Sequence, residues 1–231
     1  MIPIFPLGVF RDEDKSADLR STYSRPAGAS KQEETRESVI PDPSTLGTVA
    51  RGEIDEIAMT LSGFGGQGVL FTGLALAEGG VKEGLEVSWI PSYGPEMRGG
   101  TAHCHLRLSR HPIASPWISR PNSLMAFNQP SIEKFAKALL PGGLLLVNSS
   151  MVQEVPDRPD IRVVRVPAYE IATEMGNVKA ANMIMLGAYI EVTHAVNQES
   201  ILSAFAEHGI KPKMLKSNRE AIEKGRCIVS S

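Results

Sequence analysis

Three stretches of this 231-residue chain carry residues whose types and spacing can do chemistry. The first is Gly63-Phe64-Gly65-Gly66-Gln67-Gly68, a G-x-G-x-x-G run. Glycines at these intervals permit a tight turn and let backbone N–H groups approach a phosphate, and a helix N-terminus behind them adds positive potential. The second runs from Pro91 to Thr101 and offers the hydroxyls of Tyr93 and Thr101, the carboxylate of Glu96 and the guanidinium of Arg98, on a frame shaped by Gly94, Pro95, Gly99 and Gly100. Arg98 is the natural anion partner, because its fork matches phosphate or carboxylate. A plain ion pair between Arg98 and Glu96 that rigidifies a subunit interface is the competing reading. The third is His103-Cys104-His105. On a strand the two histidines share a face, but zinc needs a third protein ligand, and only His111 lies near in sequence. No metal site is therefore expected, and no side chain declares itself a nucleophile or catalytic group.

The glycine run can be tested against its common ligands. A Walker A loop continues into Lys and Ser or Thr, whereas Val69 and Leu70 follow here, so nucleoside triphosphate hydrolysis is excluded. A nicotinamide site wants an acidic residue at the end of the second strand. Ile90, Pro91, Ser92 and Tyr93 stand there, and Glu86 sits at the strand's start. A phosphate ligand other than a nicotinamide dinucleotide, or a bare tight β–α junction, remains.

These residues need elements to hold them. Glu56–Ser62 reads as a buried strand running into the glycines, and 67–81 as a helix with Leu70, Leu74 and Ala77 at helical spacing and Gly79-Gly80 near its end. Glu86–Ile90 is a strand stopped by Pro91. In His103–Leu108, Cys104, Leu106 and Leu108 alternate with His103, His105 and Arg107. Strands follow at 123–127, 144–148 and 161–166, and helices at 131–140, 183–195, 199–208 and 219–224. This order predicts an α/β, Rossmann-like doubly wound, mostly parallel sheet with helices on both faces, over residues 53–231.

Residues 1–52 differ. Between Arg11 and Glu37, 13 of 27 residues are charged, 7 acidic and 6 basic, with no apolar period to repay ordering. They read as a polar, flexible N-terminal extension, or as a tether for the apolar tip Ile2–Phe10 to dock on a partner subunit. A net charge of −2 gives no basic face for nucleic acid. The longest apolar stretch, Met183–Val192, contains Glu191 and is too short to span a membrane. Two cysteines, Cys104 and Cys227, cannot ligate an iron–sulfur cluster and point to a reducing, cytoplasmic setting.

Four motifs in order, namely the glycine run, Trp89–Thr101, Phe127-Asn128-Gln129-Pro130, and Pro141-Gly142-Gly143 with Asn148-Ser149-Ser150, resemble the gamma subunit of the 2-oxoacid:ferredoxin oxidoreductases, more narrowly the 2-oxoglutarate (or branched-chain 2-oxoacid) enzyme, with 2-oxoglutarate preferred. The resemblance runs from about Ile57 to the C-terminus. It implies a multi-subunit enzyme that decarboxylates a 2-oxoacid oxidatively to an acyl-CoA, with electrons passing to ferredoxin. Thiamine diphosphate, Mg2+ and the iron–sulfur clusters are then expected in the alpha, beta and cluster-bearing (delta) subunits, and none in this chain. What falls to this chain is packing on the thiamine-binding subunits and help in binding CoA. Gly63, Gly65, Gly66, Gln67, Gly68, Tyr93, Glu96, Arg98, Thr101 and Asn128 are then the candidate contacts to CoA phosphates or to a neighbouring subunit's loop. The alternative is a stand-alone Rossmann oxidoreductase binding NAD(P).

Overall fold

In the computed structural model, residues 55–93 and 100–230 are described. The N-terminal extension, Glu96 and Arg98 lie outside them. Six strands, β1 (Glu56–Phe64), β2 (Glu86–Tyr93), β3 (Thr101–Ser109), β4 (Ser123–Ala126), β5 (Leu144–Asn148) and β6 (Arg162–Val166), form one sheet in the order β2-β3-β1-β4-β5-β6. β1, β4, β5 and β6 are mutually parallel. β3 is antiparallel to both β1 and β2, so β2 runs with β1 and β3 alone is reversed. The expected α/β fold with a mostly parallel sheet and helices on both faces is present, and the single reversed strand, β3, makes the sheet mixed.

The α-helices among the described residues are α1 (Val69–Lys82), α2 (Gln129–Phe135), α3 (Ala168–Glu174), α4 (Ala181–Thr193), α5 (Gln198–Glu207) and α6 (Pro212–Ser230). Strand alternation decides which face they cover. Met59, Leu61, Cys104, Leu106, Met125, Phe127, Leu144 and Leu146 join the helices α1, α3, α4, α5 and α6 in the larger core, while Leu124, Ala126, Leu145 and Val147 meet Ile132, Ala136 and Leu139 of α2 and its single-turn 3-10 continuation in the smaller one. Helices thus lie on both faces, very unequally. On the thinly covered face, β1 and β3 present Thr60, His103, His105 and Arg107.

Several boundaries differ from expectation for physical reasons. β2 passes through Pro91 to Tyr93. It is an edge strand, where a missing N–H need not break a ladder bond. Gly79 and Gly80 lie inside α1, against Val196 and Ile201 and against Leu108. The left-handed residue that ends the turn is Gly84, φ 74°. The fully buried stripe of α1 is Val69, Thr72, Gly73 and Leu76, with Leu70 and Leu74 at its flank. α3 has no apolar period long enough to declare it, and α6 extends over 19 residues, far beyond the expected 219–224. Among the described residues, no helix is long and apolar enough to cross a membrane.

Candidate functional site at the β1–β4 carboxyl edge

Chain direction makes the site. After β1 the chain crosses to the larger core through α1, and after the neighbouring β4 it crosses to the opposite face through α2. The carboxyl ends of these two strands are therefore a topological switch point, the place where open α/β sheets leave a crevice for ligands. The glycine loop stands at one end and Asn128 at the other. β3 lies between β1 and β2, so the end of β2 is two strand spacings, about 10 Å, from β1. In a nicotinamide fold the ribose-binding strand is adjacent. Both the missing acid and this inserted strand argue against that reading.

The loop needs its glycines for separate reasons. A Cβ on Gly63 would lie 2.7 Å from Gln67 Oε1 and 2.8 Å from Phe127 Cβ. Gly66 and Gly68 take φ of 97° and 79°, the left-handed region that costs other residues about 1–2 kcal/mol. A Cβ on Gly68 would also lie 2.4 Å from Asn182 Nδ2, whereas one on Gly66 would have nothing within 4 Å. The loop is filled from behind and open at Gly66.

Its backbone donors divide in the same way. The N–H of Gly65 donates to Gly100 O at 2.9 Å, and that of Gln67 to Phe64 O at 3.1 Å. These two expected phosphate contacts are already occupied. The first bond ties the glycine loop to the returning end of the second loop, which connects the antiparallel strands β2 and β3. Thr101 pairs with Phe64 there and is exposed. So the two loops singled out by sequence meet. Among the described residues, the N–H groups of Gly66, Gly68, Val69 and Leu70 have no partner. α1 has no side-chain cap and no acidic residue in its first turn, so its N-terminal potential is uncompensated.

Behind the loop runs a chain of side-chain hydrogen bonds. Gln67 Oε1 accepts from Phe64 N at 2.6 Å and from Asn128 Nδ2 at 3.1 Å, while its Nε2 donates to Tyr169 Oη at 3.3 Å. Asn128 Oδ1 accepts from Ser131 N and Ser131 Oγ, making Asn128 the N-cap of α2, and since the Ser131 hydroxyl hydrogen is thereby used, Ser131 Oγ accepts from Ser62 Oγ at 2.9 Å. Asn128 is buried, so it orders the crevice from beneath and presents little surface to a ligand. Sequence reasoning missed Tyr169 and Asn182. Asn182 is 8% exposed, its Oδ1 accepts from Met183 N at 3.0 Å, and its Nδ2 stands beside Gly68. The only sequence signal for either was a polar residue opening the apolar run of α4. Asn148, at the carboxyl end of β5, is wholly buried, and neither of its amide atoms has a partner among the described residues.

Away from the crevice, His103 and His105 share a face as expected, with ring centroids 5.6 Å apart. His105 Nδ1 pairs with Thr60 Oγ1, His103 packs on Phe135 and His105 on Trp117. Burial pulls both imidazoles below their ordinary pKa, His103 further through Lys134 and then His105. Among the described residues, no group of three His, Cys, Asp or Glu is arranged to hold a metal ion. Cys104 is buried in the core, its thiol pushed up to about 12 by desolvation, while Cys227 is exposed on α6. This pair does not fit an iron–sulfur cluster.

Comparison with known proteins agrees with the motif order. The model of the pyruvate ferredoxin/flavodoxin oxidoreductase family matches residues 58–228. Ketoisovalerate oxidoreductase subunit VorA of Methanothermobacter marburgensis is 37% identical over 229 residues, covering 96% of this chain and 46% of the relative. The chain thus spans about half the length of that protein. The 2-oxoglutarate synthase subunit KorC of Methanothermobacter thermautotrophicus is 32% identical over 176 residues, 73% of this chain and 93% of its own. The crystal structure of a keto/oxoacid ferredoxin oxidoreductase gamma subunit from Geobacter sulfurreducens superposes with a TM-score of 0.64 at 26% identity, over 75% of this chain and 98% of that one. The 2-oxoglutarate:ferredoxin oxidoreductase of Magnetococcus marinus shares the fold, TM-score 0.68 at 23% identity, over 77% of this chain and 32% of that one. Motifs, fold and relatives converge: the chain belongs to the pyruvate ferredoxin/flavodoxin oxidoreductase family, as a homologue of the gamma subunits of 2-oxoacid:ferredoxin oxidoreductases.

Proposed function

We propose that this chain is the gamma subunit of a cytoplasmic, multi-subunit, thiamine diphosphate-dependent 2-oxoacid:ferredoxin oxidoreductase, with 2-oxoglutarate as its substrate and CoA as co-substrate. The complex oxidatively decarboxylates the 2-oxoacid to an acyl-CoA and CO2 and passes electrons to ferredoxin. Thiamine diphosphate and Mg2+ belong to the alpha and beta subunits and the clusters to the delta subunit. This chain packs on the thiamine-binding subunits and receives CoA phosphates at the carboxyl edge of β1 and β4. The observation that carries the reading is the uncapped N-terminus of α1, whose unpartnered N–H groups at Gly66 and Gly68 open at a topological switch point. Gly63, Gly65, Gln67 and Asn128 shape that edge, and Tyr93, Glu96, Arg98 and Thr101 are, in this proposal, the further contacts to CoA phosphates or to a neighbouring subunit's loop.

One observation favours a second substrate. The 37% identity to a ketoisovalerate oxidoreductase subunit exceeds the 32% to a 2-oxoglutarate synthase subunit, so a branched-chain 2-oxoacid competes with 2-oxoglutarate. Anaerobic affinity purification of the tagged chain from its own cells tests the whole reading. Co-eluting subunits, a brown iron–sulfur spectrum and CoA-dependent viologen reduction are the expected result. Rates with 2-oxoglutarate and with 3-methyl-2-oxobutanoate decide the substrate. A colourless lone protein that binds NAD(P)H would overturn it. In the assembled complex, Arg98→Ala should raise the apparent KM for CoA; an unchanged KM with normal assembly removes Arg98 from the site.

A further inference from the structure

We propose that the group received at the N-terminus of α1 is an oxyanion that only accepts hydrogen bonds, and that the side chains of Asn182 and Tyr169 are its recognition residues. The inference rests on reading this crevice as the place where CoA is held, and it names the part of the ligand that enters and what grips it.

The argument is an inventory of donors and acceptors. Both lone pairs of Gln67 Oε1 are used, by Phe64 N and Asn128 Nδ2. That fixes the amide so that Nε2 faces Tyr169, and Tyr169 Oη accepts from it. Among the described residues, no acceptor meets the phenol's own hydrogen. Asn182 repeats the pattern. Its Oδ1 accepts from Met183 N, which turns Nδ2 toward Gly68, and no acceptor meets that nitrogen among the described residues. The residue is 8% exposed, so this is a nearly buried donor held beside the uncapped helix end. Asn128 Oδ1 is likewise filled, by Ser131 N and Oγ. Around the glycine loop, therefore, the side-chain amide oxygens are consumed within the protein, and what remains is a set of donors: Gly66 N–H, Gly68 N–H, Asn182 Nδ2 and Tyr169 O–H. An adenine edge or an amide brings donors of its own and would find the side-chain oxygens of Gln67 and Asn128 already filled. A phosphate or pyrophosphate brings acceptors alone and suits the helix potential.

The test uses the full-length chain, with CoA, inorganic pyrophosphate and phosphate-free pantetheine as probes. CoA and pyrophosphate should compete for one site, and pantetheine should not displace them. Tyr169→Phe keeps the packing and removes one hydroxyl; losing one hydrogen bond to a charged group should weaken both phosphate probes by about tenfold. Asn182→Asp keeps the shape and the Met183 bond but faces the anion with a carboxylate, and should weaken them further. Each variant is checked by its melting temperature, and the two act independently, so misfolding of one leaves the other informative. CoA binding that both variants leave unchanged would overturn the inference while the CoA reading stands. Wild-type chain that binds neither CoA nor pyrophosphate would overturn both. Pantetheine competing as well as CoA would place the contacts outside the oxyanion.

Discussion

Two regions of this chain depend on glycine, and they use it for opposite ends. At the carboxyl edge of β1, Gly66 turns the chain through left-handed backbone and leaves space: a Cβ there would touch nothing. Where α4 crosses α6, Gly187 and Gly225 remove space. A Cβ on Gly187 would lie 2.0 Å from Ile222 O, and one on Gly225 1.9 Å from Ile184 O. The first region is an opening held by buried hydrogen bonds; the second is a backbone-to-backbone contact that closes the larger core. The difference teaches that a glycine's meaning lies in what surrounds it. The loop advertises itself by spacing, whereas the crossing is invisible until the two helices are brought together.

The largest effect expected from breaking this comparison is at the crossing. Gly187→Ala or Gly225→Ala forces two helix backbones apart and should destabilise by about 3 kcal/mol or more, at the upper end of ordinary overpacking. Urea denaturation or failure to accumulate folded chain measures it. Next comes Gly68→Ala, which combines left-handed strain with displacement of Asn182, and should cost about 2 kcal/mol. Gly66→Ala has the strain without the clash and should cost about 1 kcal/mol, in the same denaturation series. A Gly66→Ala variant as unstable as Gly225→Ala would erase the contrast between an open loop and a closed crossing.

The polar sheet face supplies a pH test. His103 and His105 carry depressed pKa values in the folded chain, chiefly through burial. Their contribution is present above the unfolded value of 6.5 and is lost as pH falls through the folded values, because the unfolded chain binds the protons first. Stability should therefore fall on acidification below pH 6.5, and His103→Gln with His105→Gln should flatten that fall. The smallest effect concerns thiols. A thiol-specific reagent should label exposed Cys227 in the native chain and reach buried Cys104 only on unfolding.

Much of the architecture is legible in the sequence because strands buried on both sides must be apolar. β5 at 144–148 is bounded by Pro141-Gly142-Gly143 and a polar run, and its expected limits match. The reversal of β3 is not legible. Its alternation fixes which face each side chain takes and says nothing of direction, which is set by the short connection from β2. The reach of β2 through Pro91 depends on its being an edge strand, a fact of sheet order. At the site, spacing revealed the glycine loop and the loop that meets it through Gly65 and Gly100. It could not reveal that Asn128 caps α2, nor that Tyr169 and Asn182, more than 100 residues from Gln67 and Gly68, come to stand beside them. Those are products of topology. The match to the ketoisovalerate subunit takes in 96% of the chain, more than the family domain at 58–228, so that relative carries sequence similar to part of the N-terminal extension as well.

The central claim, that the open glycine loop receives CoA within an oxidoreductase complex, is tested most directly by the apparent KM for CoA of purified complex carrying Gly66→Ala. The account predicts unchanged subunit composition and a KM raised by about tenfold, the loss of one charge-assisted hydrogen bond as the loop's backbone relaxes from its left-handed turn. An intact complex whose KM for CoA equals that of the wild type would contradict it.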